Sequence, residues 1–225
     1  MATFVLIPGA GGQATYWALL VPELQRRGHE AVAVDIAEDD PALGLPEYAR
    51  IVELAIGDRR QAILVAQSLA GFTAPMVATP VSMIVLLNAM IPVPGETPGQ
   101  WFEGTGAGQA RLAADQAAGR SGEFDVETHF LHDLSAQARA VLMAEPPRQP
   151  ADTAFGQPCA FRRWPDVPLR VLIGAGDRFF PAEFQRRLAE DRLGIEADEI
   201  DGGHLVALAN PAGLADQLHA YAAKA

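Results

Sequence analysis

The chain has 225 residues, a length that suits one domain, with or without an insertion, and that can bury a full core. Hydrophobic residues make up 49% and charged residues 20%, close to the averages of globular proteins, which excludes disordered and fibrous classes. The formal net charge of -11 would repel phosphate groups over most of the surface, so we expect no nucleic-acid partner.

Cysteine content and hydropathy set the expected compartment. Cys159 is the single cysteine, which leaves no internal disulfide and no cysteine-rich metal site, and we interpret it as a small filler rather than a nucleophile. The N-terminal residues lack a signal-peptide pattern, and no stretch reaches the ~18 apolar residues that span a bilayer. We therefore predict a cytoplasmic protein with a small-molecule substrate and no membrane partner, and we leave a homodimer open.

Short β-forming runs alternate with helical patterns along the chain, which is typical of a parallel sheet covered on both faces. Predicted strands, most of them almost wholly apolar, cover residues 3–7, 30–35, 61–66, 82–88, 169–174 and 195–200. Predicted helices cover residues 14–27, 46–56, 69–78, 181–191 and 211–223. The fold class is therefore α/β, with a doubly wound and mostly parallel sheet.

The loop after the first strand, Gly9-Ala10-Gly11-Gly12-Gln13-Ala14, matches the dinucleotide fingerprint G-x-G-x-x-G/A. Asp35, at the end of the second strand, would then contact a ribose. Pro8 and the bulky pair at residues 16–17 are poorly suited to close approach of a cofactor. Lys224 is the only lysine, and no Tyr-x-x-x-Lys pattern is present. We therefore favour a solvated strand-end carboxylate for Asp35 and keep an NAD-dependent enzyme as an alternative.

The residues around Ser68, Ala66-Gln67-Ser68-Leu69-Ala70, have the small-x-Ser-x-small spacing of a nucleophile elbow. Small flanking residues are needed because a serine on a sharp strand-to-helix turn lies very close to neighbouring chains. The usual pattern has glycine at both flanks. A serine that only caps a helix is the alternative interpretation.

Residues 91–166 interrupt the alternation with prolines and helical patches, so we predict a cap insertion there and a core formed by residues 1–90 and 167–225. Aromatic residues are frequent in and near the insertion. We assign four of them to a substrate pocket, with packing of the cap on the sheet as the alternative: Trp101, Phe102, Phe130 and Phe179.

The insertion also contains the stretch ETHFLHDLS, in which His129, His132 and Asp133 could suggest metal ligands. Residues three apart lie on one face of a helix. No further ligand with a known spacing accompanies them. We favour an ordinary cap helix and predict no metal site.

Two further polar residues follow predicted strands. Asp177 comes just after the fifth strand, and His204 follows Gly202-Gly203 after the sixth strand. Each is also a common turn or loop residue. Ser68, Asp177 and His204 nevertheless occur in the chain order Ser, Asp, His at the carboxyl ends of different parallel strands, where ligands bind in open α/β sheets. This arrangement predicts a catalytic triad, because a serine needs a histidine base and an orienting carboxylate.

The chain resembles the α/β-hydrolase superfamily, and within it the small cofactor-free esterases related to plant methylesterases and hydroxynitrile lyases. The matching stretches are VLIPGAGGQATYW, VAQSLAGFTAP, NAMIPVPGE, GAGDRFFP and GGHLVALANP. The resemblance implies a sheet of order 2-1-3-4-5-6 and no cofactor. It also implies that Ser68 is the nucleophile, His204 the general base and Asp177 the carboxylate that orients it.

The resemblance further implies an oxyanion hole formed by the backbone N–H groups of Ala10 and Leu69. Pro8 stands where the family commonly has histidine, which changes the hydrogen bonding of the loop but leaves the Ala10 donor in place. Such donors contribute about 3 kcal/mol each to the stabilisation of an oxyanion. We therefore interpret the glycine-rich loop as an oxyanion loop.

The predicted function is a serine hydrolase that cleaves a small, largely apolar ester, thioester or lactone through an acyl-enzyme on Ser68. The first alternative is a lyase, C–C hydrolase or cofactor-free oxygenase that uses His204 as base. Leu205 stands where many hydroxynitrile lyases have lysine, which weakens the lyase alternative. A binding protein on a hydrolase scaffold and an NAD-dependent enzyme remain as further alternatives.

Overall fold

The computed structural model describes residues 1–224 and contains a six-stranded sheet with helices on both faces. The strands are β1 (Thr3–Ile7), β2 (Glu30–Ala33), β3 (Ile63–Gln67), β4 (Met83–Leu87), β5 (Leu169–Gly174) and β6 (Asp198–Ile200). Their order is β2-β1-β3-β4-β5-β6, and all five neighbouring pairs are parallel. The predicted fold class and strand order are confirmed.

Ten α-helices lie within residues 1–224. They are α1 (Leu20–Arg26), α2 (Leu45–Ile56), α3 (Pro98–Thr105), α4 (Ala107–Ala117), α5 (Val126–His129), α6 (Ala136–Leu142), α7 (Asp152–Gly156), α8 (Ala182–Leu193), α9 (Val206–Ala209) and α10 (Pro211–Ala222). Short 3-10 turns cover Ala14–Trp17, Ser68–Gly71 and Ala74–Met76. Across these residues, the helices are too short or too polar to cross a bilayer.

Two predicted helices differ from the structure because of proline. The prediction for residues 69–78 was wrong, since this stretch forms two 3-10 turns separated at Phe72 and Thr73. Pro75 has no N–H to donate to the carbonyl of Gly71, so an α-helix cannot continue through it. The predicted helix 14–27 is likewise divided, into the 3-10 turn Ala14–Trp17 and α1. Pro22 lies in the first turn of α1, where a missing N–H is tolerated.

The core consists of two apolar layers, one on each face of the sheet. Along β1, Val5 and Ile7 pack in the layer that contains α2 and α8, whereas Phe4 and Leu6 pack in the layer that contains α1 and α10. This alternation follows from the two-residue period of a strand. Burial on both faces explains why the central strands β1, β3 and β4 are apolar at nearly every position, whereas the edge strand β6 has the exposed residues Asp198 and Glu199.

The segment from residue 91 to residue 166, which we call the β4–β5 segment, holds α3 to α7. Trp101 of α3 is fully buried and belongs to the same apolar layer as the sheet residues on that face. Cys159 is also buried, and its Sγ–H donates to the carbonyl oxygen of Phe72 at 3.1 Å. The segment therefore shares its core with the sheet. Its description as a separate cap over residues 91–166 stays a prediction.

Candidate active site

Ser68 lies on a sharp turn at the end of β3. Its φ angle of 51° is in the left-handed region, which costs free energy for any residue with a side chain. Close neighbours hold the turn. A Cβ atom on Gly9 would lie 2.8 Å from Ser68 Cβ, and a Cβ atom on Gly71 would lie 1.8 Å from the carbonyl oxygen of Met90. The Met90 N–H in turn donates to the Ser68 carbonyl oxygen at 2.9 Å. These contacts require residues without side chains around the serine.

We expect Gly71→Ala to lower the free energy of unfolding by about 1–3 kcal/mol, because its methyl group would overlap a backbone oxygen that cannot move without displacing the turn. Gly108→Ala is the matched control. A Cβ atom on Gly108, in α4, has no atom within 4 Å, so this change should stabilise the protein by about 0.5–1 kcal/mol. Urea unfolding measures both. Equal stability of Gly71→Ala and the wild type would contradict the packing described.

His204 lies between Ser68 and Asp177. Its Nε2 atom is 3.1 Å from Ser68 Oγ, and its Nδ1 atom is 2.8 Å from Asp177 Oδ2. All three side chains are buried. The structure therefore brings the three residues of the predicted triad into one hydrogen-bonded chain. Such a chain can move a proton from a serine hydroxyl to an imidazole that a carboxylate orients.

The carboxylate of Asp177 is held by four hydrogen bonds. Its Oδ1 atom accepts the backbone N–H groups of Phe179 at 2.8 Å and Phe180 at 2.9 Å. Its Oδ2 atom accepts from Gln185 Nε2 at 3.2 Å in addition to the bond with His204. Gln185 is buried on α8, and no local sequence pattern indicates its role. These bonds fix the orientation of the carboxylate relative to the imidazole.

Asn88, whose role no local sequence pattern indicates either, connects the sheet to the loop that carries His204. It is buried at the end of β4 with a φ angle of 44°, a conformation that asparagine tolerates better than most residues. Its Nδ2 atom donates to the carbonyl oxygens of Gly203 at 3.0 Å and His204 at 3.1 Å. Its Oδ1 atom accepts the N–H of Gly174 at 2.6 Å. One amide thus links β4, β5 and the His204 loop.

Three phenyl rings surround the imidazole of His204. The ring centres of Phe130, Phe179 and Phe180 lie 5.1, 5.2 and 5.3 Å from the centre of the imidazole. Phe130 comes from the β4–β5 segment, whereas the other two follow Asp177. These rings exclude water from the side of the imidazole that they cover.

The glycine-rich loop after β1 lies beside Ser68. Gly11 and Gly12 have φ angles of 101° and 68°. Within residues 1–224, the N–H of Ala10 has no hydrogen-bond acceptor in the protein. The N–H of Leu69 lies in the first turn after Ser68, where backbone donors lack partners within the helix. The loop and the elbow therefore each offer one backbone donor near Ser68.

Two other donors of the loop bind carboxyl groups, and the N–H of Gly12 donates to the carbonyl oxygen of Gly9 at 3.0 Å. The N–H of Gly11 donates to Glu38 Oε2 at 2.8 Å, and the N–H of Ala14 donates to Asp35 Oδ2 at 3.1 Å. Asp35 also binds Arg148 Nη1 at 2.7 Å, and its side chain stays exposed to solvent, as expected for a strand-end carboxylate. Because Glu38 occupies the donor that a pyrophosphate would need, the geometry does not favour a dinucleotide here.

Glu38 is an unusual group for this position because it is almost fully buried. Burial raises the pKa of Glu38 to about 8, although the bond from Gly11 and the charge of Arg148 both act to lower it. The folded state therefore binds this proton more tightly than the unfolded state, in which the pKa is near 4.5.

We expect Glu38→Gln to become more stable relative to the wild type as pH rises from about 4.5 to about 8. The raised pKa of Glu38 adds to the free energy of unfolding of the wild type. This stabilisation is complete below pH 4.5 and is lost as pH rises through 8, at up to roughly 1.4 kcal/mol per pH unit. Glutamine keeps an oxygen for the Gly11 N–H but does not titrate. Urea unfolding of both proteins across this range checks the trend, and a constant difference would contradict it.

A cavity of about 370 Å³ opens at Ser68 and His204. Its apolar wall comes mainly from the β4–β5 segment and consists of Val126, Phe130, Leu131, Leu142, Met143 and Pro147. Arg148 also lines the cavity, but its guanidinium is bound to Asp35 and to the carbonyl oxygen of Ile36. The cavity thus offers a mainly apolar surface, and the one arginine among its lining residues within 1–224 is already paired.

The four predicted pocket residues lie in different places. Phe130 lines the cavity at Ser68. Phe102 and Phe179 line a separate cavity of about 170 Å³, although the Phe179 ring also contacts His204. Trp101 points into the core, where its Nε1–H donates to the carbonyl oxygen of Ile91 at 3.1 Å. The aromatic content of the segment therefore serves packing as well as the cavity.

The residues weighed as metal ligands are separated in the structure. His129 Nε2 lies 3.0 Å from Asp115 Oδ2, in an ionic cluster completed by Arg111 and Arg120. His132 and Asp133 instead pack against Gly203. Over residues 1–224, no group of three or more His, Cys, Asp or Glu side chains could hold a metal ion.

Comparisons with known proteins agree with this architecture. The family model described as the alpha/beta hydrolase family matches residues 4–217. The chain belongs to the α/β-hydrolase family. No curated protein sequence matches it significantly.

Solved structures of the same fold include several hydrolases. One is an extracellular α/β-hydrolase from a Paenibacillus species, described as sharing structural and functional homology with tobacco salicylic acid binding protein 2. It is 20% identical to this chain with a TM-score of 0.77, and the match covers 97% of this chain and 98% of that chain. A pyrethroid hydrolase from Sphingobium faniae is 19% identical with a TM-score of 0.75 and coverage of 99% and 97%. A methylesterase from Arabidopsis is 18% identical with a TM-score of 0.75 and full coverage, 100%, of both chains.

Proposed function

We propose that the protein is a serine hydrolase that cleaves small, neutral, largely apolar esters through an acyl-enzyme on Ser68. The observation that carries this proposal is the hydrogen-bonded chain from Ser68 through His204 to Asp177. Thioesters and lactones present the same acyl carbon and belong to the same reaction class. We also propose that the β4–β5 segment acts as a cap over the site, and cytoplasmic localisation stays a prediction.

In the acylation step, Ser68 Oγ attacks the carbonyl carbon of the ester while its proton passes to His204 Nε2. The carbonyl oxygen becomes an oxyanion, which the N–H groups of Ala10 and Leu69 stabilise. The tetrahedral intermediate collapses, its bond to the alcohol oxygen breaks, and the proton on His204 passes to that oxygen. An ester between Ser68 and the acyl group remains.

In the deacylation step, a water molecule attacks the acyl carbon and gives a proton to His204 Nε2. The second tetrahedral intermediate uses the same two backbone donors. Its collapse breaks the bond to Ser68 Oγ, which takes the proton back, and releases the carboxylic acid. Asp177 holds the imidazole in the tautomer and orientation that both steps need, and it stabilises the imidazolium.

The cavity supports a preference for neutral and apolar substrates. Its wall is mainly aliphatic and aromatic, and the arginine at its edge is already bound to Asp35. An anionic ester would lose hydration there without gaining an ionic partner. Two solved structures of similar fold are described as a methylesterase and a pyrethroid hydrolase, which supports a hydrolase with ester substrates.

The test is stopped-flow hydrolysis of p-nitrophenyl acetate and p-nitrophenyl hemisuccinate. We expect the enzyme to turn over the acetate steadily. If deacylation is slower than acylation, a burst of p-nitrophenol that is stoichiometric with the enzyme should precede the steady phase. The hemisuccinate, which adds a negative charge, should have a much lower kcat/KM. Absence of turnover with the acetate would refute the proposed function, and equal kcat/KM values would refute the preference for neutral substrates.

A further inference from the structure

The backbone just before His204 is held from two sides. From the sheet, Asn88 Nδ2 donates to the carbonyl oxygens of Gly203 and His204. From the β4–β5 segment, Asp133 Oδ2 accepts the N–H of Gly203 at 2.6 Å. The loop that carries the imidazole is therefore bonded to the segment above the site as well as to the core below it.

Gly203 is required for this contact to form. A Cβ atom at residue 203 would lie 2.8 Å from His132 Cε1 and 3.0 Å from Asp133 Oδ2, so a larger residue would push the two chains apart. The neighbouring Gly202 binds the loop that carries Asp177, since its carbonyl oxygen accepts the N–H of Gly176 at 2.9 Å. The backbone of residues 202–204 is thus fixed by partners on both sides.

Asp133 is not an obvious contributor to stability. Its Oδ1 atom is buried and, within residues 1–224, has no hydrogen-bond partner. A buried carboxyl oxygen without a partner costs free energy, which an apolar residue at this position would avoid. The bond from Gly203 to the other oxygen gives a physical reason for a carboxyl group at residue 133.

We propose that Asp133 is a positioning residue that, through the Gly203 N–H, holds His204 Nε2 at the distance from Ser68 Oγ that proton transfer needs. The inference rests on the proposed function. Without this acceptor the carbonyl side of the loop is still held by Asn88, but the N–H side is free to turn, and the imidazole turns with it. The β4–β5 segment thereby takes part in placing the general base as well as in forming the cavity wall.

The test compares Asp133→Ala with Asp133→Asn in the hydrolysis of p-nitrophenyl acetate. We expect Asp133→Ala to lower kcat roughly 10- to 100-fold, because a small displacement of a reacting group is costly, while KM stays near the wild-type value. Asp133→Asn keeps an oxygen that accepts the Gly203 N–H and should retain most of kcat. If Asp133→Ala does not fold, Asp133→Ser, whose hydroxyl is too short to replace the carboxylate, allows the same comparison.

A second measurement separates positioning from a general loss of structure. A residue that acts through His204 has no effect once His204 is removed, so Asp133→Ala should leave the residual rate of His204→Ala unchanged. A merely structural change would lower that rate again by the same factor. Ser135→Ala is the matched control, because Ser135 lies two residues from Asp133 and its hydroxyl likewise accepts a backbone N–H, that of Ala138, at 3.1 Å. It should lower stability without changing kcat.

The inference would be overturned if Asp133→Ala had the wild-type kcat. It would also be overturned if the reductions in rate caused by Asp133→Ala and His204→Ala multiplied in the double variant. A fall in kcat with no recovery in Asp133→Asn would also overturn it. These outcomes differ from failure of the proposed function, in which the wild type itself would neither hydrolyse the ester nor react at Ser68.

Discussion

Ser68→Ala is expected to lower kcat for p-nitrophenyl acetate by a factor on the order of 10⁴–10⁶, because alanine cannot form the acyl-enzyme. The fold should be unaffected, since the Ser68 side chain makes a hydrogen bond only to His204 within residues 1–224. Steady-state kinetics measures the loss, and urea unfolding provides the control for stability. Retention of substantial activity would show that another group attacks the ester.

The effects of the Ser68 and His204 substitutions on kcat are expected not to multiply. Each residue is useless for nucleophilic attack without the other, so the double variant Ser68→Ala/His204→Ala should be about as active as either single variant. The residual rate would come from binding and from the Ala10 and Leu69 donors. Multiplicative effects of the two substitutions would contradict a shared step.

Asp177→Asn has the second largest expected effect, a fall in kcat of about 10⁴-fold. The asparagine amide would present an N–H group to His204 Nδ1, which favours the tautomer that carries its proton on Nε2 and cannot accept one from Ser68. The backbone donors of Phe179 and Phe180 would still bind the remaining oxygen, so the loop should keep its shape. Kinetics at several pH values measures the effect.

Gln185→Leu is the matched control for this prediction. It removes the 3.2 Å bond to Asp177 and the 2.6 Å bond to the Phe180 carbonyl oxygen, but it leaves the carboxylate and its backbone donors in place. Its effect on kcat should therefore be much smaller than that of Asp177→Asn. If both changes had the same effect, the carboxylate would matter for packing rather than for orienting the imidazole.

The strand pattern could be predicted because it depends on local sequence. Buried parallel strands are apolar at nearly every position, and prolines and glycines separate them from the helices. The prediction was wrong where one residue outweighed the helical pattern, as Pro75 does after Ser68. The sheet order could not come from local sequence, and the family resemblance supplied it.

Some residues of the candidate site could also be predicted from local sequence, and others could not. Ser68, Asp177 and His204 could be proposed from sequence because each follows a strand, and parallel strands end at one edge of the sheet. Asn88 and Asp133 could not, because their roles depend on a hydrogen bond to Gly203, which is more than 60 residues away along the chain. Glu38 is a third case, since nothing local indicates that its carboxyl group is buried against Gly11.

Ser68 is expected to react covalently with a fluorophosphonate. A fluorophosphonate has a phosphorus centre that an activated serine attacks, with loss of fluoride, to give a stable ester on the nucleophile. Mass spectrometry of the treated, digested protein should find the phosphonyl group on the peptide that contains Ser68, and labelling should be lost in Ser68→Ala and much slower in His204→Ala. An unlabelled wild-type protein, or a label on any other residue, would contradict the assignment of Ser68 as the nucleophile.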